Sequence, residues 1–281
     1  MFNLIKMDMH RLLHSTSTWI IMLFVIILAV FSVAMTNTDI QMLEDDPSSV
    51  VTETSEERQI GIYVEADPEW ATGKIEIGSI ISTEMRSGLL AILCVIFTSI
   101  FTNADQKNGY IKNIAGQFPH RGKLITSKFI AIAVQVFLML FVFTAVTVVT
   151  GFVFWGNKLY LGPVIPILEF LSVQYLLHLG FAALMMLICI LTCSSAFSMT
   201  AGILVCSGLV VPIYSMINKF VADIKPNWNF NINNYVLDGN IIGISLNAVS
   251  DVLLRGAIVG IAFTVISVVL STVIIKRRDI R

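Results

Sequence analysis

This sequence has unusually little charge. Only 13% of its 281 residues are Asp, Glu, Lys or Arg, while 56% are hydrophobic, and the mean hydropathy is +0.82. A water-soluble domain carries about 25% charged and about 45–50% apolar residues. Too little polar sequence is left to cover a water-facing surface, so the excess apolar length is expected to face lipid. Cysteine is scarce as well. Cys94, Cys189, Cys193 and Cys206 lie in or beside apolar runs and form no CxxC pair, a pattern that speaks against a disulfide framework or zinc site and reads as small buried hydrophobes. No basic stripe interleaved with aromatics occurs on a polar segment, so nucleic acid is not an expected partner. No GxxxxGK[ST] loop occurs either, so the chain has no element to cradle the phosphates of ATP. The chain does not open on a short apolar stretch with a small-residue cleavage site, and its first apolar run is expected to be a retained helix.

What the sequence does have is long apolar runs. Six approach the roughly 20 residues that a spanning helix needs: Trp19–Thr36, Arg86–Phe101, Leu124–Trp155, Pro166–Thr192, Phe197–Ile217 and Val252–Ile275. Lipid forces such segments to be helical, because backbone polar groups find no water there. The expected fold is an all-α membrane protein with six transmembrane helices, a single transmembrane domain over residues 1–281. Glu84 and Arg86 intrude at the start of the second run, and the third is long enough to tilt. Ahead of the first run, Phe2, Ile5, Met9, Leu12 and Leu13 recur at helical spacing against Asn3, Lys6, Asp8, His10 and Arg11. That predicts a short interfacial helix over residues 1–14.

The few charges are unevenly placed. Of 19 acidic residues, 11 fall between Asp39 and Glu76, whereas basic residues gather at 107–128 and 276–281. With six spans both termini share a side, and that side collects 11 of the 18 Lys and Arg residues. The positive-inside rule makes it cytoplasmic. Two larger segments are then extracellular: the acidic stretch 37–80, whose alternating Gln59–Val64 patch suits a strand, and the loop 219–250, whose Trp228, Tyr235 and isoleucines suggest packing on protein or membrane.

The most informative stretch is Asn103–Lys128, NADQKNGYIKNIAGQFPHRGKLITSK. It leaves one predicted span and enters the next on the basic side. Asp105, Gly109, Lys112, Phe118–Pro119–His120–Arg121 and Lys128 read as a short amphipathic helix, a break at Gly116–Pro119, and re-entry with cationic anchors. A plain connector would need only a few residues. An acidic residue, a glycine four on, a basic helix, then Pro-x-Arg and Lys: this resembles the permeases of ABC-2 type ATP-binding cassette transporters. Asp105 stands where Glu is usual, and Tyr110 where Thr is common. The resemblance implies that 105–123 is a coupling helix region, with Asp105, Gly109, Lys112, Pro119 and Arg121 contacting a separate ATPase subunit. It implies a bacterial cell-membrane location, two ATPase copies that carry ATP and Mg, a second permease (self or similar), no cofactor in this chain, and no enzyme activity of its own. Similar permeases export amphipathic peptides, such as phenol-soluble modulins and lantibiotics, and others move drugs or lipids. An exporter of peptides is the expected function, with drugs, lipids or ion-coupled carriage as alternatives.

Several further residues invite attention. Glu169 and His178 are nine apart, which places them on opposite faces of one helix, and Glu169 is expected in its first turn, where the helix dipole favours a carboxylate. Gln174 and His178 share a face, and either line an interior path or hydrogen-bond between helices. Ser194, Ser195 and Ser198 lack a GxSxG elbow, so no hydrolase is implied. Met185 and Met186 read as core or lipid contacts. Gly202 and Gly208 in the fifth run permit close helix approach and are path-lining candidates with Gln174 and His178, and Pro212 is expected to kink the run.

Overall fold

The computed structural model describes residues 1–45, 70, 73–107, 122–225, 228 and 230–277. Helix α1 (Phe2–His14) and α2 (Thr16–Asp45) open the chain. After them come β1 (Ile75–Glu76), α3 (Ile77–Arg86) and α4 (Leu89–Lys107). Then follow α5 (Gly122–Trp155), a 3-10 turn, β2 (Leu159–Tyr160) and α6 (Val164–Thr192). The last group is α7 (Ser195–Cys206), α8 (Val211–Ile224), a 3-10 turn at Ile232–Asn234, α9 (Leu237–Gly243) and α10 (Ser250–Arg277).

Four of these helices, α2, α5, α6 and α10, are long and apolar enough to cross a membrane, and the number rises to six if each of two bent pairs counts as one span. Large side chains such as Trp19, Phe31, Phe141, Ile165 and Val265 point outward, each more than half exposed. In water each would forgo about 1.5–3 kcal/mol of burial, and a surface so continuously apolar marks contact with membrane. The chain therefore has the build of a multi-pass membrane protein.

Two expected spans are not single helices. The second run begins at Ile77, well before its apolar core, and breaks at Ser87–Gly88, with α3 and α4 meeting at 53°. Gly88 has φ +76°, a conformation other residues rarely adopt. Ser87 Oγ donates to the Glu84 carbonyl at 2.7 Å and accepts from Leu89 N at 3.3 Å, closing one helix and starting the next. The fifth run breaks at Ser207–Val210, and α7 meets α8 at 63°. Gly208 (φ +75°) sits in that break, and Pro212 falls in the first turn of α8, where its missing N–H costs nothing.

Parts of the segments between spans are regular as well. The acidic 37–80 stretch is helical through Asp45 as the end of α2, and its Ile75–Glu76 pairs in parallel with Leu159–Tyr160. The Gln59–Val64 patch lies outside the described residues. In 219–250, Leu237, Ile241, Ile244 and Leu246 are buried, as their apolar character suggested, while Trp228 and Tyr235 stay exposed.

The bundle is organised around α6. Of its most apolar window 61% is buried, against 22% for α10, so α6 is central and α10 peripheral. These two form the most extensive helix pair. A Cβ on Gly180 would lie 2.8 Å from the Gly260 carbonyl oxygen, and one on Gly260 would lie 2.7 Å from the Leu176 carbonyl. Only glycine lets the two backbones approach so closely.

Candidate functional site

Among the polar side chains that the fold buries, three groups join elements distant in sequence or carry the candidate residues. The first fastens α1 to the two helices that bracket residues 108–121. Leu4, Asp8 and Leu12, spaced four apart, are the buried residues of α1. Ser127 Oγ of α5 donates to the Asp8 carboxylate. The next residue, buried Lys128, donates Nζ to the Thr102 carbonyl of α4 at 3.3 Å and lies 5.9 Å from the centroid of the Phe101 ring. The Arg11 guanidinium of α1 lies 5.2 Å from the same ring. Cations over an aromatic face are attracted by its quadrupole, so Phe101 joins α1, α4 and α5. Asn103 Nδ2 extends the contact by donating to Ser195 Oγ of α7 at 3.1 Å.

This corrects the reading of α1. Asp8 belongs to its protein-facing side, whereas Phe2 (77% exposed) and Leu13 (49% exposed) point outward. The helix thus presents an outward apolar edge beside a face docked on α5.

The second group is on α6. Gln174 and His178 are both fully buried. Gln174 Nε2 donates to the Ile241 carbonyl of α9 at 3.0 Å, and His178 Nδ1 pairs with the Gln174 carbonyl at 2.8 Å. His178 Nε2 and Gln174 Oε1 have no partner among the described residues. Buried polar atoms without partners are uncommon in folded proteins. Glu169, by contrast, is exposed on the second turn of α6 rather than its first. Met185 and Met186 are core residues, 1% and 0% exposed. Gly202 of α7 packs where a Cβ would meet Val95 at 2.5 Å and Met185 at 2.8 Å. Met185 is seven residues from His178, about 10 Å along α6, so Gly202 and the Gln174–His178 pair are separate places.

The third group escaped the sequence reading. Glu84, completely buried on α3, accepts from Ser32 Oγ and from Thr36 Oγ1 of α2, the latter at 2.7 Å. Two residues on, Arg86 Nε donates to the Ile242 carbonyl of α9 at 2.7 Å. Ser32 and Thr36 are one helical turn apart, which aims both hydroxyls at one carboxyl group. That spacing was the available signal; nothing local tied it to Glu84, about 50 residues away.

Of the residues assigned to a coupling role, Asp105 lies in the last turn of α4, with its side chain outside the described residues. Gly109, Lys112, Pro119 and Arg121 lie wholly outside them. Among the described residues no three of His, Cys, Asp or Glu gather in a way that would hold a metal ion. No family model matches the chain, and no curated protein matches it.

Proposed function

We propose that the chain is the membrane-spanning permease subunit of an ATP-binding cassette exporter, driven by a separate ATPase. One observation carries the reading: the Asp105–Lys128 sequence pattern joins two helices, α4 and α5, that are fastened to each other and to α1. Lys128 holds the Thr102 carbonyl, and Asp8 takes the Ser127 hydroxyl. A soluble subunit pressing on residues 105–123 would therefore move α1, α4 and α5 together. Counting each bent pair once gives six spans, and the excess of Lys and Arg at 107–128 and 276–281 favours both termini and this segment in the cytoplasm of a bacterial cell.

In this reading two ATPase copies bind two permeases, and the path forms between the permease halves. The carrier of chemical energy is ATP with Mg on the partner; this chain converts closure of the ATPases into helix motion. Amphipathic peptides are the preferred cargo, with drugs or lipids next, because the permeases that the Asp105–Lys128 pattern resembles include exporters of such peptides.

The test is co-purification with a soluble ATPase, and then Asp105→Lys and Gly109→Pro. Both changes should abolish transport and weaken ATPase binding while the protein still inserts. Normal transport by both variants would remove this segment from the mechanism. An ion-coupled carrier is favoured by one finding, the buried Glu84 carboxyl, because ionisable residues inside a membrane commonly serve transport. Transport that persists without any ATPase and follows an ion gradient would establish that reading instead.

A further inference from the structure

Helix α8 differs from the other long helices in how little of it the protein covers. Only Val211 is buried, and the helix packs on the 3-10 turn at Ile232–Asn234. Its circumference divides into three sectors. Tyr214 and Asn218 face the protein: Tyr214 Oη donates to Asp238 Oδ1 at 3.2 Å, and Asn218 bonds Asn231 and the Ile232 amide. Lys219 and Asp223 are exposed on a second sector. A third carries Ile213, Met216, Phe220 and Ile224, which are 58%, 74%, 65% and 62% exposed. The spacing of three and four residues makes these one stripe.

We infer that α8 is an interfacial helix, seated with this stripe in the acyl–headgroup boundary of one leaflet, and that lipid is the stripe's partner. Three observations select lipid. The stripe continues the apolar surface of α7, whose Phe197 and Leu204 are exposed, across the break at exposed Leu209. The protein-facing sector is already fixed by hydrogen bonds, so the stripe cannot rotate inward. The segment after α8 carries the residue types that settle at headgroup level: exposed Trp228, with the Lys225 ammonium 5.6 Å from its ring, tilts against Phe230, which in turn stacks on Tyr235.

The bend gives the depth. With 12 residues in α7 and 14 in α8, the helices are about 18 Å and about 21 Å long. A straight pair would reach about 39 Å and carry Phe220 and Ile224 past a hydrocarbon core of about 30 Å. With α7 along the membrane normal, the 63° bend leaves α8 a rise of only about 10 Å, so the pair together reaches about 28 Å and still counts as one crossing, with α8 lying oblique in the leaflet where the span ends.

The inference is tested with full-length chain in phosphatidylethanolamine–phosphatidylglycerol nanodiscs. Nitroxides are placed by Ile213→Cys, Met216→Cys, Phe220→Cys, Ile224→Cys and, as control, Lys219→Cys, with the four native cysteines changed to Ala. Oxygen should reach the four stripe positions far better than a water-soluble nickel complex does, and their depths should agree within about 8 Å, the 63° projection of the eleven-residue rise from 213 to 224. Lys219→Cys should favour the nickel complex. An upright helix would instead spread the four depths over about 16 Å, and water-exposed stripe labels would show no membrane contact; either overturns the inference. Strong dipolar coupling between labels on two copies would assign the stripe to a second chain and overturn it equally. Should the cysteine-free chain misfold, benzoylphenylalanine at Phe220 in the otherwise native chain tests the stripe's partner, lipid or a second chain. A photoproduct of protein plus lipid supports the inference, and a cross-linked dimer or no adduct refutes it.

Discussion

Replacing Gly260 by alanine adds one methyl group at the tightest backbone contact between α6 and α10. That methyl would lie 2.7 Å from both the carbonyl carbon and oxygen of Leu176 and 3.0 Å from Leu177 N. All three are main-chain atoms of a helix, so no rotamer change relieves the overlap, and ordinary contact begins only at about 3.4 Å. The helices must part by about 0.7 Å. A gap of that order forfeits roughly a quarter to a half of the dispersion energy of each atom pair it opens, and overpacking of this kind costs about 1–3 kcal/mol. Alanine returns about 0.5–1 kcal/mol as the better helix former, leaving a net loss of about 1–2 kcal/mol. At about 2–4 °C per kcal/mol for chains of about this size, thermal unfolding in detergent should fall by about 5 °C. Gly243→Ala is the matched control, because a Cβ there meets nothing within 4 Å. Gly180→Ala presses on the same spot, 2.8 Å from the Gly260 oxygen, so the Gly180→Ala, Gly260→Ala pair should fall short of additivity by about 0.5 kcal/mol or more. If Gly260→Ala unfolds at the same temperature as Gly243→Ala, the close approach of α6 and α10 is wrong.

Other consequences can be checked separately. Asp8→Ala strips Ser127 of its acceptor and should raise hydrogen exchange over residues 2–14 while leaving α10 protected; unchanged exchange in α1 would show that the carboxylate does not hold it. Glu84→Ala orphans two buried hydroxyls and should destabilise by about 1–3 kcal/mol, read as an unfolding midpoint. Glu84→Leu should carry a similar cost, and adding Ser32→Ala with Thr36→Val should recover most of it, because no buried hydroxyl is then left without an acceptor. For orientation, Ser55→Cys in a cysteine-free chain should react from outside intact cells with an impermeant reagent and Asn113→Cys should not, the reverse pattern inverting the proposed topology.

Composition made the membrane build legible, because 13% charge cannot solvate a surface of this size. The four long helices followed from uninterrupted apolar length alone. The two breaks did not. Ser87–Gly88 and Ser207–Val210 carry no strong signal in hydropathy, and what parts the helices there is backbone conformation, φ +76° and +75° at the two glycines. Pro212 marked the neighbourhood of the second break but not its extent. Site residues were legible where one helix carries them, as with Gln174 and His178 on a shared face of α6. They were hidden where distant segments meet: Glu84 looked like an intruder in a span until its hydroxyl partners on α2 were in place. The Gly256-x-x-x-Gly260 spacing was open to inspection in α10, and small residues four apart are the pattern that close membrane helices use. Asp8 was assigned to the wrong side of α1 because amphipathic reasoning weighs polarity, while the helix docks along Leu4, Asp8 and Leu12.

The polar fasteners of α3 also set an order of assembly. Glu84 reaches back 52 and 48 residues, to Ser32 and Thr36, partners that leave the ribosome before it does. Arg86 must wait for the Ile242 carbonyl, 156 residues later, and Ile75 and Glu76 for the strand at Leu159–Tyr160. At a synthesis rate of about 5–20 residues per second, the wait is about 8–31 s for Ile242 and about 4–17 s for the strand. During that interval α3 is held to α2 while its contacts with the later half of the chain are still unmade, and its short strand is an open edge. A chain synthesised past Tyr160 but not yet to Ile242 can therefore close the β1–β2 pair but has no α9 to receive Arg86.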